Sequence, residues 1–229
     1  MPCERKALQL GEVLRIDAKA EGDLVVIGGW KSQGGCKTRD GPWFSLELTR
    51  KTAPWAFERG EPFRTIASLE LIASLVGLMI LVPQEVQGGE TSAVVSLSCG
   101  TDSQGNTHLL DRMLTTKYPL GVVLMELAHQ SRVRRMVLRA HWLPRLENEE
   151  ADALTNFEFR HFDPKHRIEV KLEDLKFAVL DDLFREGEVY VAELEKVKAQ
   201  QKVARAAGGQ PNKKRKGLAG NTLRDRDRW

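Results

Sequence analysis

The order of strand-like and helix-like segments most constrains the fold of this chain. Three apolar strand-like segments come first, joined by turns and a loop, and each later strand is separated from the next by helical sequence. Predicted strands cover 13–18, 24–30, 43–49, 93–98 and 135–143, and predicted helices cover 64–82, 108–116, 120–131 and 147–156. Short turns favour antiparallel pairing, whereas strand–helix–strand crossovers favour parallel pairing. We therefore expect an α/β domain with a mixed sheet and helices on both faces.

The most apolar segment, IASLELIASLVGLMILV at 66–82, is the candidate for a membrane-spanning helix. It contains Glu70 and ends before Pro83. Seventeen residues is the short limit for a bilayer span. We therefore predict a buried helix and no membrane partner.

The character of the chain changes beyond residue 157. The sequence VKLEDLKFAVLDDLF, 170–184, can form an amphipathic helix with Leu172, Leu175, Val179 and Leu183 roughly on one side, and 188–206 is rich in Glu, Lys, Gln and Ala. Residues 206–229 show no periodicity. The predicted organisation is a domain at 10–157, a connector and helical extension at 158–205, and a disordered basic tail at 206–229.

The net charge of +3 comes from the tail, whose seven Lys and Arg residues against two Asp leave 28 basic and 30 acidic residues in the rest of the chain. Within the tail, NKKRK at 212–216 has the composition of a nuclear localisation signal or a nucleic-acid-binding patch. Three widely separated cysteines and the absence of an apolar signal segment near residue 1 predict an intracellular protein, cytoplasmic or nuclear.

Four acidic residues are candidates for a shared site because of where they fall on the predicted elements. Asp17 lies on the first strand, Glu70 on the long helix, Asp102 just after the fourth strand and Asp152 in the last short helix. If the fourth strand runs parallel to the first, Asp17 and Asp102 become neighbours at the same end of the sheet. Converging carboxylates repel one another unless cations neutralise them, and Mg²⁺ prefers such oxygen ligands. Taken singly, each acid also fits a structural role at a turn, strand end or helix surface.

Around these acids the chain resembles the ribonuclease H domain of retroelement reverse transcriptases. The matching stretches are RIDAKAEGDLVVIGGW, RTIASLELIASL, SCGTDSQGN and HWLPRLENEEADALTN, and the last contains N-x-x-A-D-x-L-T from Asn148 to Thr155. The resemblance covers roughly 10–157, with the four acids in the family's order. It implies an RNase H-like five-stranded sheet of order 3-2-1-4-5, with three antiparallel strands followed by parallel ones, helices on both faces and a C-terminal helical extension.

The resemblance also implies a reaction. It implies two Mg²⁺ ions, with Mn²⁺ as a substitute, that support hydrolysis of the RNA strand of an RNA–DNA hybrid. Asp17 would bridge both ions, Asp152 would hold the ion that activates water, and Glu70 and Asp102 would hold the ion near the leaving group. A reverse transcriptase polymerase domain is the implied protein partner, and residues 143–149 lack the histidine that many members place there.

Two other functions stay open on the sequence. A catalytically inactive nucleic-acid-binding module would keep the fold, and a DNA junction nuclease would keep the order of the acids. Candidate nucleic-acid contacts are Arg134, Arg139, Arg145, Asn106 and Asn148. The sequence does not decide the oligomeric state, whether the chain is part of a polyprotein, or the role of 158–205.

Overall fold

The structure is a computed structural model that divides the chain into two units, Met1–Glu188 and Val189–Trp229. It describes residues 8–32, 36–57, 65–82, 94–115, 117–181, 192–193, 195–197 and 199–203. The predicted disordered tail, with NKKRK at 212–216, lies outside the described residues. The predicted domain boundary at residue 157 stays a prediction.

Five strands form one mixed sheet in the first unit. They are β1 (Leu8–Glu21), β2 (Leu24–Lys31), β3 (Trp43–Leu48), β4 (Val95–Thr101) and β5 (Met136–Trp142), arranged in the order β3-β2-β1-β4-β5. The β1–β2 and β2–β3 pairs are antiparallel, whereas β1–β4 and β4–β5 are parallel. The fold class predicted from the sequence is confirmed.

Among the residues that the structure describes in the first unit, five α-helices accompany the sheet. They are α1 (Pro54–Phe57), α2 (Ile66–Leu81), α3 (Gln104–Arg112), α4 (Leu120–Val133) and α5 (Glu149–Thr155). The sequence analysis missed α1, which has a single turn, and placed the start of α3 four residues too late. That shift occurs because α3 begins directly after the polar turn that follows β4.

The apolar helix α2 forms the centre of the core on one face of the sheet. Its fully buried side chains are Leu69, Leu71, Ile72, Ala73, Leu75, Val76 and Leu78. They pack against β1, β2 and α4, and this burial explains why the segment is apolar on every side. No helix among the described residues has the length and apolar character to cross a membrane.

Helix α5 packs on the opposite face of the sheet, and Gly28 of β2 makes room for it. A Cβ at Gly28 would lie 2.8 Å from the Cβ of Leu154. The Ser45 hydroxyl on β3 donates to the Leu154 carbonyl at 2.8 Å, and the Asn148 Nδ2 donates to the Ile16 carbonyl on β1 at 3.1 Å. These contacts fix both ends of α5 relative to three strands.

Residues 158–181 also pack within the first unit. Phe162 joins Trp30, Trp43 and Leu154 in a buried cluster beside α5. The backbone N–H of Ile168 donates to the carbonyl of Trp43 at 2.8 Å, next to a parallel bridge between Trp43 and Arg167. This segment therefore covers one end of the sheet edge at β3.

The helix predicted over 170–184 is wrong for its described part. Val170–Leu180 instead contains a 3₁₀ turn at Leu172–Asp174 followed by bends, although Leu172, Phe177 and Leu180 are buried. Of the four residues predicted to share one side, Leu172 is buried, Leu175 and Val179 are half-buried, and Leu183 lies outside the described residues. In the second unit, the described residues between 192 and 203 are helical and exposed, which fits the predicted helical extension.

The carboxylate of Glu126 on α4 explains that irregular backbone. Glu126 is 0% exposed, and its Oε2 accepts the backbone N–H groups of Ala178, Val179 and Leu180 at 2.8, 2.6 and 3.2 Å. Its Oε1 accepts Gln130 Nε2 at 2.6 Å. One buried carboxylate thus binds three consecutive amides and holds the segment on α4.

Replacing Glu126 tests this clamp. We expect Glu126→Gln to lower the free energy of unfolding by about 2–4 kcal/mol, because a neutral amide binds the three N–H groups less well and brings its own N–H groups among them. Urea denaturation measures the change, with the exposed Glu173→Gln as control, expected within about 0.5 kcal/mol of the parent. Equal stability of the two variants would contradict the clamp.

Replacing Gly28 tests the seating of α5. Gly28→Ala forces a methyl group against Leu154 and should lower the free energy of unfolding by about 1–3 kcal/mol. The matched control is Gly105→Ala in α3, where an added Cβ meets nothing within 4 Å and should raise stability by roughly 0.5–1 kcal/mol. A neutral Gly28→Ala would show that the contact is not close in solution.

Candidate active site

The parallel pairing of β1 with β4 places two of the predicted acids side by side. Arg15 on β1 lies opposite Gly100 on β4, so Asp17 and Asp102, each two residues further along, reach the same level of the sheet. The exposed fraction of Asp17 is only 7%. Asp102 comes directly after β4 and is partly exposed.

Glu70 reaches this end of the sheet from α2. Asn106, in the first turns of α3, donates its Nδ2 to Glu70 Oε2 at 3.1 Å and to the Ala67 carbonyl at 3.0 Å. Because α3 begins right after Asp102, this side chain ties the turn that carries Asp102 to the helix that carries Glu70.

Asp152 comes from α5, which also contacts Asp17 directly. The Thr155 hydroxyl donates to Asp17 Oδ2 at 2.9 Å. Both oxygens of Asp152 accept hydrogen bonds, Oδ1 from Arg145 Nη2 at 2.8 Å and Oδ2 from Asn156 Nδ2 at 2.9 Å. A cavity of about 410 Å³, lined in part by Asp152 and Asn156, gives solvent access to this side of α5.

The pKa values of the buried acids show that the carboxyls lie within electrostatic range of one another. Burial raises the pKa of Asp17 to about 7; the charges of Asp102 and Asp152 raise it too, while the hydrogen bond from Thr155 opposes the shift. Burial likewise raises the pKa of Glu70 to about 7, with Asp102 and Asp17 adding to the rise and a hydrogen bond from Ser103 opposing it. The structure therefore places Asp17 within electrostatic range of Asp102 and Asp152, and Glu70 within electrostatic range of Asp102 and Asp17.

Carboxyl oxygens are the ligands that a hard divalent cation prefers, and the mutual influence of these acids is the kind of charge that such a cation would neutralise. In the side-chain arrangement of the described residues, however, no three His, Cys, Asp or Glu groups stand together as metal ligands. The carboxylate of Asp152 is engaged by Arg145 and Asn156. A cation at Asp152 would use the lone pairs that these two hydrogen bonds leave open, or displace one of the two donors.

The five predicted nucleic-acid contacts fall into two groups. Asn106, Asn148 and Arg134 are buried, and each donates a hydrogen bond within the protein, to Glu70, Ile16 and Gln130 respectively. This burial corrects the expectation that they face a substrate. Arg139 and Arg145 have exposed side chains and remain candidates.

Two supporting residues were not predicted as part of the site. Thr155 donates a hydrogen bond to Asp17, and Asn156 donates one to Asp152. The Oδ1 of Asn156 also accepts a hydrogen bond from Lys19 Nζ at 2.8 Å. The N-x-x-A-D-x-L-T run could have identified Thr155 from the sequence. Its final threonine lies three residues after Asp152, so the two side chains share one face of the helix.

No protein-family model matches the sequence, and no curated protein matches it. Among solved structures, the chain is similar to RNase H1 from Halobacterium salinarum (18% identity, 65% of this chain and 98% of that chain, TM-score 0.40). It is also similar to LC11-RNase H1, isolated from compost by a metagenomic approach (20%, 63% and 92%, 0.43), and to an N-terminal RNase H domain from Mycobacterium tuberculosis, solved as a fusion with maltose-binding protein (16%, 66% and 94%, 0.36). These are structures that the chain resembles, and none carries a function across to it.

The raised pKa values predict how stability depends on pH in the presence of EDTA. Between about pH 4 and 7 the folded protein keeps protons on Asp17 and Glu70 that the unfolded chain has lost. The free energy of unfolding should therefore fall as pH rises, by up to about 1.4 kcal/mol per pH unit for each group.

Urea denaturation from pH 4 to 8 measures this slope. We expect Asp17→Asn to have a shallower slope and to be more stable than the parent at pH 8. The exposed Asp23→Asn should keep the parent slope. Parallel curves for Asp17→Asn and the parent would show that Asp17 ionises normally in the fold.

Proposed function

We propose that this chain is a divalent-cation-dependent nuclease of the ribonuclease H type, which hydrolyses the RNA strand of an RNA–DNA hybrid. The observation that supports the proposal is the position of Asp17 and Asp102 at one level of the β1–β4 pair, with Asp152 within electrostatic range of Asp17, Glu70 within range of Asp17 and Asp102, and the pKa values of Asp17 and Glu70 raised to about 7. Strongly perturbed carboxyls in a cluster are typical of functional sites.

Asp17, Glu70, Asp102 and Asp152 would hold two Mg²⁺ ions, for which Mn²⁺ would substitute. When bound, such ions activate a water for attack on a phosphodiester and stabilise the leaving oxygen. The products would carry a 3′-hydroxyl and a 5′-phosphate.

The chain's own residues orient the carboxyls. Thr155 holds Oδ2 of Asp17 and Asn106 holds Oε2 of Glu70, so neither side chain has to be ordered when substrate arrives. Side chains locked in this way save the entropy of ordering at the moment of reaction. Both partners are themselves buried, at 0% and 2% exposure.

The substrate would be held mainly by its backbone. Arg145 has an exposed guanidinium that lies 2.8 Å from Asp152, and it can approach a phosphate without leaving the surface. Hybrids and other A-form helices are recognised by shape, phosphates and 2′-hydroxyls, so we expect little base specificity.

We further propose a retroelement origin, with a reverse transcriptase polymerase domain as partner. The support is the N-x-x-A-D-x-L-T run, in which three residues make different contacts. Asn148 binds the backbone of β1, the charge of Asp152 acts on Asp17, and Thr155 donates a hydrogen bond to Asp17. We expect the chain to co-purify with a retroelement polymerase domain. It should not co-purify with an unrelated polymerase, which is the control. Failure to associate at micromolar concentrations would refute the partnership.

A cleavage assay tests the nuclease proposal. We expect the purified chain to cut the RNA strand of a labelled RNA–DNA hybrid in Mg²⁺ or Mn²⁺ and to stop in EDTA. Asp102→Asn should reduce the rate by at least about 100-fold, because it removes a charged metal ligand. Asp23→Asn, at the exposed β1–β2 turn, is the control and should cut as the parent does.

Other outcomes of the same assay separate the alternatives. Salt-dependent binding of the hybrid without cleavage would favour an inactive nucleic-acid-binding module. Faster cutting of a four-way DNA junction would favour a junction nuclease. Equal cutting by Asp102→Asn would refute the assignment of the site.

A further inference from the structure

Arg15 on β1 joins three parts of the protein next to the candidate active site. Its Nε donates to Glu12 Oε1 at 2.8 Å, and its Nη1 donates to the backbone carbonyl of Glu147 at 2.6 Å. The same Nη1 lies 3.4 Å from Glu150 Oε2, in the first turn of α5. One guanidinium therefore bridges its own strand, the 3₁₀ turn Arg145–Glu147 that follows β5, and the start of α5.

Three consecutive residues of β1 bond to α5 or to the turn before it. The first, Arg15, binds the last residue of the turn. The second, Ile16, accepts a hydrogen bond from Asn148 Nδ2 at 3.1 Å, and the third, Asp17, accepts one from Thr155. A helix of seven residues is positioned by such tertiary contacts rather than by its own backbone. The contact of Arg15 therefore helps to set where α5 presents the fourth acid.

A chain of polar side chains from three neighbouring strands holds the guanidinium of Arg15. Glu12 Oε2 lies 2.9 Å from His141 Nε2 on β5, and His141 Nδ1 lies 2.8 Å from the hydroxyl of Ser98 on β4. Because an ionised carboxylate only accepts, Nε2 donates to Glu12, and in a neutral ring Nδ1 accepts from Ser98. Both oxygens of Glu12 are thus engaged, one by Arg15 and one by His141.

Gly100 of β4 leaves room for this chain. A Cβ at Gly100 would lie 3.2 Å from Arg15 Cγ and 3.2 Å from Glu12 Oε2. The side chains of Arg15 and Glu12 are only 24% and 23% exposed. Water and salt screen a partly buried pair less than an exposed one, so this pair keeps its geometry better than the exposed pairs of the surface.

We propose that Arg15 is a positioning residue for the candidate active site: it fixes the turn that precedes α5, and through this turn it fixes where Asp152 lies relative to Asp17. Glu12 orients the guanidinium for this task. The inference rests on the proposed function, since it names a residue that sets the geometry of the same site. Arg15 has its partners within the protein and acts through α5, not on the substrate.

Steady-state cleavage of a labelled RNA–DNA hybrid in Mg²⁺ tests the positioning. We expect Arg15→Gln to lower kcat by about 10- to 100-fold, because a contact that orients a metal ligand is lost, and to leave KM within about twofold of the parent. Glu12→Gln should lower kcat by a similar factor. The double variant should lose little more than either single variant, since the two side chains act as one unit.

Two further variants separate position from charge and from stability. Arg15→Lys keeps the charge, but one ammonium replaces the planar fork that bonds Glu12 and the Glu147 carbonyl, so it should recover only part of the lost kcat. Glu126→Gln is the control for lost stability. It weakens the contact between α4 and 178–180, and it should keep the parent kcat at a temperature where the protein stays folded.

Amide hydrogen exchange in EDTA tests the same contact without cleavage. The backbone N–H groups of Ala151 and Asp152 donate to the Asn148 carbonyl at 3.1 and 3.0 Å. We expect these two amides to exchange at least about tenfold faster in Arg15→Gln, while the amides of β2 keep the parent rate. The matched control is Arg50→Gln, which breaks an exposed ion pair at the β1–β2 turn and should leave the exchange of α5 unchanged.

Several results would overturn this role for Arg15. An unchanged kcat in Arg15→Gln, or a rise in KM alone, would show that Arg15 does not set the site. Full recovery by Arg15→Lys would show that only its charge matters, and an equal loss of kcat in Glu126→Gln would show that lost stability is the cause.

The failure of this inference differs from the failure of the proposed function. If the parent does not cut hybrids, the proposed function fails, and hydrogen exchange still decides the role of Arg15: unchanged exchange in α5 overturns it, and faster exchange confined to α5 supports it. If the parent cuts hybrids and Arg15→Gln cuts equally well, only this inference fails.

Discussion

The parallel pairing of β1 with β4 is the constraint on which the site depends. It brings Asp17 and Asp102 to one level of the sheet although 84 positions separate them in the chain. Burial raises the pKa of Asp17, and the repulsion between Asp17 and Asp102 raises it further. The first unit can tolerate this cost because β1 and β2 pack between α2 on one face of the sheet and α5 on the other.

The two helices that complete the site are held by different means. Helix α2 is fixed by its apolar surface, which leaves Glu70 as a carboxyl at the margin of an otherwise apolar segment. Helix α5 has only seven residues and depends on specific contacts, among them the close approach at Gly28 and the hydrogen bond from Asn148 to β1. Short helices gain little from their own backbone hydrogen bonds, so such tertiary contacts decide their position.

Much of this architecture follows from sequence patterns, because period-2 strands and a strongly apolar helix report burial directly. The sequence alone therefore predicted the order of the acids on their elements. It did not predict that Arg134 is buried, because a charged residue gives no sign of its partners; here Gln130 and the charge of Glu126 supply them. It also predicted a helix where Val170–Leu180 is irregular, since periodicity cannot show that a distant carboxylate binds the backbone amides.

The two edges of the sheet are protected from association in different ways. Edge strand β5 presents the charged Arg139, whereas the end of β3 is covered by the later segment at Arg167 and Ile168, which pairs with Trp43. An uncovered edge offers free backbone groups to the strands of other molecules. Residues 158–181 therefore protect the protein from aggregation as well as contributing to the fold. A fragment ending at residue 157 would expose an aromatic sheet edge, and it would aggregate.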